Sequence, residues 1–202
     1  GNSISTADDG SVYITGYTNG DLDGQTNSGG VDAFVSKFDS DGSKQWTQLL
    51  GTSSYDYGNS ISTADDGSVY ITGYTSGDLD GQTNSGGGDA FVSKFDSDGS
   101  KQWTQLLGTS SVDVSTADDG SIYITGGTRG NLDGQNNSGG YDAFISKYTF
   151  NKSPTDLEIT TTNFEENITA GSVVVTLNST DPDTADTFTY SLISGTGDTD
   201  NS

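Results

Sequence analysis

Residues 58–107 read GNSISTADDGSVYITGYTSGDLDGQTNSGGGDAFVSKFDSDGSKQWTQLL. Residues 1–50 carry the same string with two exceptions, Asn19 for Ser76 and Val31 for Gly88, so 48 of 50 positions match at a period of 57. A third, looser copy runs to about Tyr148. A fixed period of this size marks a repeat architecture, in which one supersecondary unit is stacked several times.

Each copy contains four short runs rich in Val, Ile, Thr, Tyr, Phe and Trp, the residues that strands favour. In the second copy they are SISTA (60–64), SVYITGYT (68–75), DAFVSKF (89–95) and WTQLL (103–107). Asp65-Asp66-Gly67 separates the first two and Asp96-Ser97-Asp98-Gly99 the last two; Asp-Gly between such runs signals a hairpin. A longer Gly-rich loop over 76–88 joins the middle pair. No window has useful helical periodicity. In SVYITGYT, alternation sends Val69 and Ile71 to one face and Tyr70 and Tyr74 to the other. Both faces are apolar or aromatic, whereas a sandwich strand keeps a polar outer face. A propeller blade is covered by a neighbour on each side, and four strands in 57 residues fit one blade per repeat. A β-solenoid is the second choice, because its coil uses far fewer residues.

The string DAFVSKFDSDGSKQWTQLLGTSSYDYGNSISTADDGSVYITGYT resembles the SBBP-type β-propeller repeat of bacterial surface and secreted proteins. The resemblance covers residues 1–148 and implies an all-β, open arc of about three four-stranded antiparallel blades, against about seven in a closed ring. Gly51 to Gly67 is 17 residues but Gly108 to Gly120 is 13, which predicts a shorter loop before the first strand of the third copy.

Composition shifts near Asn151, and both prolines lie beyond it. The resulting division is 1–150 for the repeats and 151–202 for a second domain. SPTDLEITTTNFEENITAGSVVVTLNSTDPDTADTFTYSLISG is similar to the first half of a cadherin-like domain, a β-sandwich of immunoglobulin-like type. That resemblance implies a shared Ca2+ site whose residues here are Glu166, Asp181 and Asp183.

The net charge is −22, with 29 acids and 7 bases, and the acids are nearly all Asp. Nucleic acid is excluded as a partner, because phosphate binding needs a basic surface. There is no Cys and no His, which removes disulfides, cysteine nucleophiles, Ser-His-Asp triads and Cys-type zinc sites. No stretch approaches the ~20 apolar residues of a membrane helix. Asp serves two purposes instead, making turns and offering hard oxygens to Ca2+.

The loop NGDLDGQTN (19–27) places oxygens at Asn19, Asp21, Asp23 and Asn27 around Gly24, like the first half of an EF-hand loop. The second copy repeats this with Asp78, Asp80 and Asn84 but has Ser76 at the first position. The third begins with Arg129 and has Asn131 where the others have Asp. None has the Glu that closes an EF-hand. The plain alternative is a tight polar turn. Trp46 and Trp103 are expected to anchor blade packing rather than bind sugar. Asp8-Asp9 and its copies recur per blade, whereas a catalytic centre is normally unique.

These readings converge on a non-enzymatic, calcium-stabilised adhesion or scaffold module, extracellular or on a bacterial cell surface, whose partners are protein or glycan. Near-identical copies also predict self-association through strand exchange. An accessory segment of a large secreted enzyme and a propeller lectin are the alternatives. Gly1 at the start and the interrupted pattern at the end are what a piece of a longer protein would show.

Overall fold

The computed structural model describes residues 1–108, 111–132, 134–150, 156–159 and 176–180. It divides into two compact units, Gly1–Thr149 and Phe150–Ser202. The first unit is all-β, with three antiparallel sheets.

The first sheet runs in chain order through β1 (Ser3–Thr6), β2 (Val12–Thr18), β3 (Asp32–Phe38) and β4 (Lys44–Leu50). The second repeats it with β5 (Asp56–Thr63), β6 (Val69–Thr75), β7 (Asp89–Phe95) and β8 (Lys101–Leu106). The third contains β9 (Ser111–Thr116), β10 (Ile122–Thr128) and β11 (Asp142–Tyr148). Among the described residues it has three strands. In the second unit, β12 (Asp156–Ile159) pairs antiparallel with β13 (Leu177–Thr180). The cadherin-like positions Glu166, Asp181 and Asp183 lie outside the described residues.

The expected turns join the meanders. At Asp39-Ser40-Asp41-Gly42, the Gly42 N–H donates to Asp39 O and the Ser43 N–H to the Asp39 carboxylate, at 3.0 and 2.8 Å. At Ala7-Asp8-Asp9-Gly10, the Ser11 N–H donates to the Asp9 carboxylate at 2.8 Å, which pulls the Asp9 pKa below the ordinary range. A carboxylate that accepts a backbone N–H is favoured in its charged form.

The sheets stack face to face in chain order. Tyr13 and Thr15 of β2 are buried while Val12 and Ile14 are half-buried; in β10 the reverse holds, with Ile122 and Ile124 buried and Thr125 exposed. In β6 both sets are buried. The first sheet therefore meets the second with one face, the third meets it with the opposite face, and the middle sheet is covered on both. The contrast is sharpest at residues the copies share. Ile4 is 64% exposed and its counterpart Ile61 6%; Ile145 is 73% exposed and its counterpart Val92 1%. Two-faced burial belongs to the middle sheet, as expected from Val69, Ile71 and Tyr70, while Tyr74, expected beside Tyr70, is half-buried.

Trp46 packs at the rim of the core, 5.9 Å from the Tyr13 ring, and its Nε1–H donates to Ser97 O of the next sheet at 3.2 Å. Lys37 lies over the Tyr13 ring at 5.3 Å and reaches the same carbonyl. Lys94 and Trp103 repeat these contacts on Tyr70. Trp46 thus joins sheets, in line with its reading as an anchor.

Two details depart from the expected strand limits. β5 begins at Asp56, four residues before SISTA, because Asp56 and Tyr57 pair with Thr75 and Tyr74; a bulge between Gly58 and Ser60 then restores register. The residues missing from the third copy come out of this strand as well as the loop. β9 has six residues against eight in β5, and its ladder on β10 runs without a bulge.

Candidate functional site

The Gly-rich loops between the second and third strands of each sheet carry the residues singled out for Ca2+. The oxygens of Asp21, Asn27, Asp78 and Asn84 already serve the loop backbone. Asp21 Oδ1 accepts from the Asn27 N–H at 3.0 Å, and Asn27 Oδ1 from the Gly29 N–H at 3.0 Å. The Asn27 amide donates to Thr18 O at 3.1 Å. Asp78 and Asn84 repeat the set, with Asp78 Oδ1 accepting at 2.9 Å. In the third copy Asn131 Oδ1 accepts from the Asn137 N–H at 2.9 Å. An amide oxygen does there what a carboxylate does in the other two, which explains the drift from Asp to Asn. Asn19 and its counterpart Ser76 vary freely by comparison; the backbone N–H of Ser76 donates to Tyr55 O.

Asp23 and Asp80 have a left-handed backbone, at φ 52° and 51°, and each forms an ion pair, with Lys44 and Lys101 respectively. The Lys44 ammonium, followed by the Thr47 hydroxyl, pulls the Asp23 pKa below its ordinary value. Among the described residues no three acidic side chains converge as a cage. We therefore expect Asp21→Asn and Asp78→Asn to leave thermal stability within about 0.5 kcal/mol of wild type, the usual range for a surface change that keeps its contact. Asp21→Ala removes the acceptor and is expected to cost about 1 kcal/mol. Denaturant titration of the two variants measures the difference.

A glutamine missed at the sequence level orders the same loops. The Gln25 side-chain amide donates to Thr47 O, and its Oε1 accepts from the Leu49 N–H at 3.1 Å. The side chain thus mimics a strand against β4. Gln82 does the same to Thr104 and Leu106 of β8. In the third copy Gln135 lines a groove of about 270 Å3 with Thr128, Leu132 and Phe144. Only its identical place in each copy, three residues after the loop's Leu, could have revealed this role.

The junction between the first two sheets holds the least expected group. Val31 and Tyr55 form an isolated parallel bridge, and the Asp56 N–H donates to Val31 O at 2.8 Å. This sets Asp32 and Asp56 side by side. Both are wholly buried. Asp32 Oδ2 accepts from the Ser28 N–H at 2.7 Å; Asp56 Oδ2 accepts from the Thr52 N–H at 2.6 Å and the Thr52 hydroxyl at 2.9 Å. Oδ1 of each has no hydrogen-bond partner. Burial pushes the Asp56 pKa up against its hydrogen bonds to Thr52 and the neighbouring Thr75 hydroxyl, which itself donates to Gly77 O, and the nearby Asp32 charge pushes the same way.

Comparison with known proteins places the fold in context. Residues 45–80 match the SBBP beta-propeller repeat family. That segment begins in the last strand of one sheet and ends in the loop of the next, so the family's unit straddles the junction. Regulatory protein FlaEY of Caulobacter vibrioides is 31% identical over 164 residues, which cover 71% of this chain and 17% of FlaEY. The chain spans about one-sixth of the curated relative it matches.

Proposed function

We propose that the chain is a non-enzymatic interaction module of propeller type, working outside the cell or on its surface as a scaffold or adhesive array for protein or glycan. The observation that carries this reading is recurrence. Acidic side chains that chemistry would need instead repeat one structural contact per copy: Asp39 and Asp96 in the hairpins, Asp21 and Asp78 in the loops. Repetition suits a surface that presents the same features several times, and avidity grows with the number of such features. At a net charge of −22, Ca2+ would stiffen the array by screening repulsion between neighbouring acids. The cadherin-like reading of the C-terminal unit rests on its sequence and supplies a second role for Ca2+ at Glu166, Asp181 and Asp183.

The relative's name favours a second reading, a regulatory protein, supported by 31% identity. In both readings the module acts by contact. Beads coated with the full chain are expected to be retained on bacterial cell layers or immobilised glycans above albumin-coated beads. Retention no greater than albumin would defeat the adhesive reading.

A further inference from the structure

Asp32 and Asp56 are two carboxylates set side by side by the Val31–Tyr55 bridge, each without solvent exposure. They flank one dipeptide. A Cβ on Gly51 would lie 2.2 Å from Asp32 Cγ, and the next residue, Thr52, donates twice to Asp56. One oxygen on each remains without a donor. Buried anions are otherwise paired or bound to metal. No described base is paired with them: Lys44, Lys94, Lys101 and Lys147 pair with Asp23, Asp66, Asp80 and Asp119, Lys37 lies on Tyr13 and Arg129 on Tyr141.

The other copies lack this arrangement. Asp89 receives the Ser85 N–H on one oxygen and the Ser85 hydroxyl on the other, and Asp142 is held the same way by Ser138. In the third copy Asp113 follows GTSSV (108–112) at the sequence place of Asp56, but it lies inside β9 opposite Thr125 and is exposed, so among the described residues no buried acid stands beside Asp89 as Asp56 stands beside Asp32. The pair is therefore unique to the first junction, unlike the loop carboxylates, which recur.

We propose that Asp32 and Asp56 hold a divalent cation of hard, oxygen-seeking character, Ca2+ being the probe of choice, through Oδ1 of each. A proton would neutralise one charge and leave the other; a dication neutralises both and gives each orphan oxygen a partner. Placed between β3 and β5, the ion ties the first sheet to the second. The proposal is independent of what the array contacts.

The test is melting of the full chain in Ca2+, in Mg2+ and in chelator, with calorimetric titration of Ca2+ alongside. A ligand that binds only the folded state at about 100 times its Kd should raise Tm by roughly 5–10 °C in a chain of this size. Asp32→Asn and Asp56→Asn should each abolish the rise while melting in chelator no lower than wild type, because one buried charge is gone. Asp89→Asn and the paired loop variant Asp21→Asn with Asp78→Asn should retain it. Calorimetry should find one site fewer in Asp56→Asn than in wild type; if that variant fails to fold, Asp32→Asn answers the same question. No rise in wild type with either ion, a rise that survives both junction variants, or a rise lost in the loop variant would overturn the assignment. Failure of bead retention would leave it standing.

Discussion

Phe91→Ala is expected to cost about 3–5 kcal/mol, the range for deleting a fully buried aromatic side chain. Phe91 is wholly buried in the middle sheet, opposite Gly73 in the β6–β7 ladder. Phe34 occupies the same place in the first copy but is half-buried, since the face it shares with Val12 and Ile14 is open. Phe34→Ala should therefore cost roughly half as much or less, in proportion to the apolar area it removes from contact. The surrounding sequence is the same in both copies, so propensity and turn chemistry cancel, and the difference reports the neighbouring sheet alone. Equilibrium denaturation of the two variants measures it. Equal losses would mean that the sheets do not stack as described.

Gly73→Ala is expected to be the most damaging glycine-to-alanine change among the described residues, at about 3 kcal/mol, the upper range for overpacking. A Cβ there would lie 1.9 Å from Tyr57 O and 2.6 Å from the Phe91 ring. The carbonyl is backbone and cannot swing away, because Tyr57 is paired with Tyr74 in the β5–β6 ladder. Gly127 is the control. It stands where the other copies have Tyr17 and Tyr74, and a Cβ there meets only Tyr141, at an ordinary 3.4 Å. Gly127→Ala should be neutral or stabilise by about 0.5–1 kcal/mol through lower backbone freedom in the unfolded chain. Thermal melts of the two variants should move in opposite directions, or the second not at all.

Much of the fold was legible because the repeat supplies its own comparison. Alternation in SVYITGYT marked a strand covered twice, and Asp-Gly marked the hairpins; Val69, Ile71 and Tyr70 are buried as that pattern demands. The beginning of β5 was not legible. Tyr57 and Gly58 look like loop until their pairing with Tyr74 and Gly73 is seen, since a bulge changes which face the following residues occupy. The Asp residues were harder still. Asp21, Asp32 and Asp56 are the same residue type in similar Gly- and Ser-rich surroundings. Which of them is buried is decided where one sheet meets the next, and no local pattern encodes that. Spacing drew attention to the loops, where Asp21 and Asp78 accept from backbone N–H groups and Asp23 and Asp80 pair with lysines, and passed over the junction.

The face that each sheet offers to its successor has one further consequence. Tyr13 and Thr15 look forward from the first copy as Tyr70 and Thr72 look forward from the second, so the stack repeats its contacts at the period of the amino-acid sequence. Excising one 57-residue period by recombination between the near-identical segments would leave Thr15 facing Val112, as Thr72 does now. The new contact would join surfaces that already fit. Array length can thus change by whole periods in one genetic step, without any interface having to be reinvented. Such a step would erase the meeting of Asp32 and Asp56, which the next junction does not repeat.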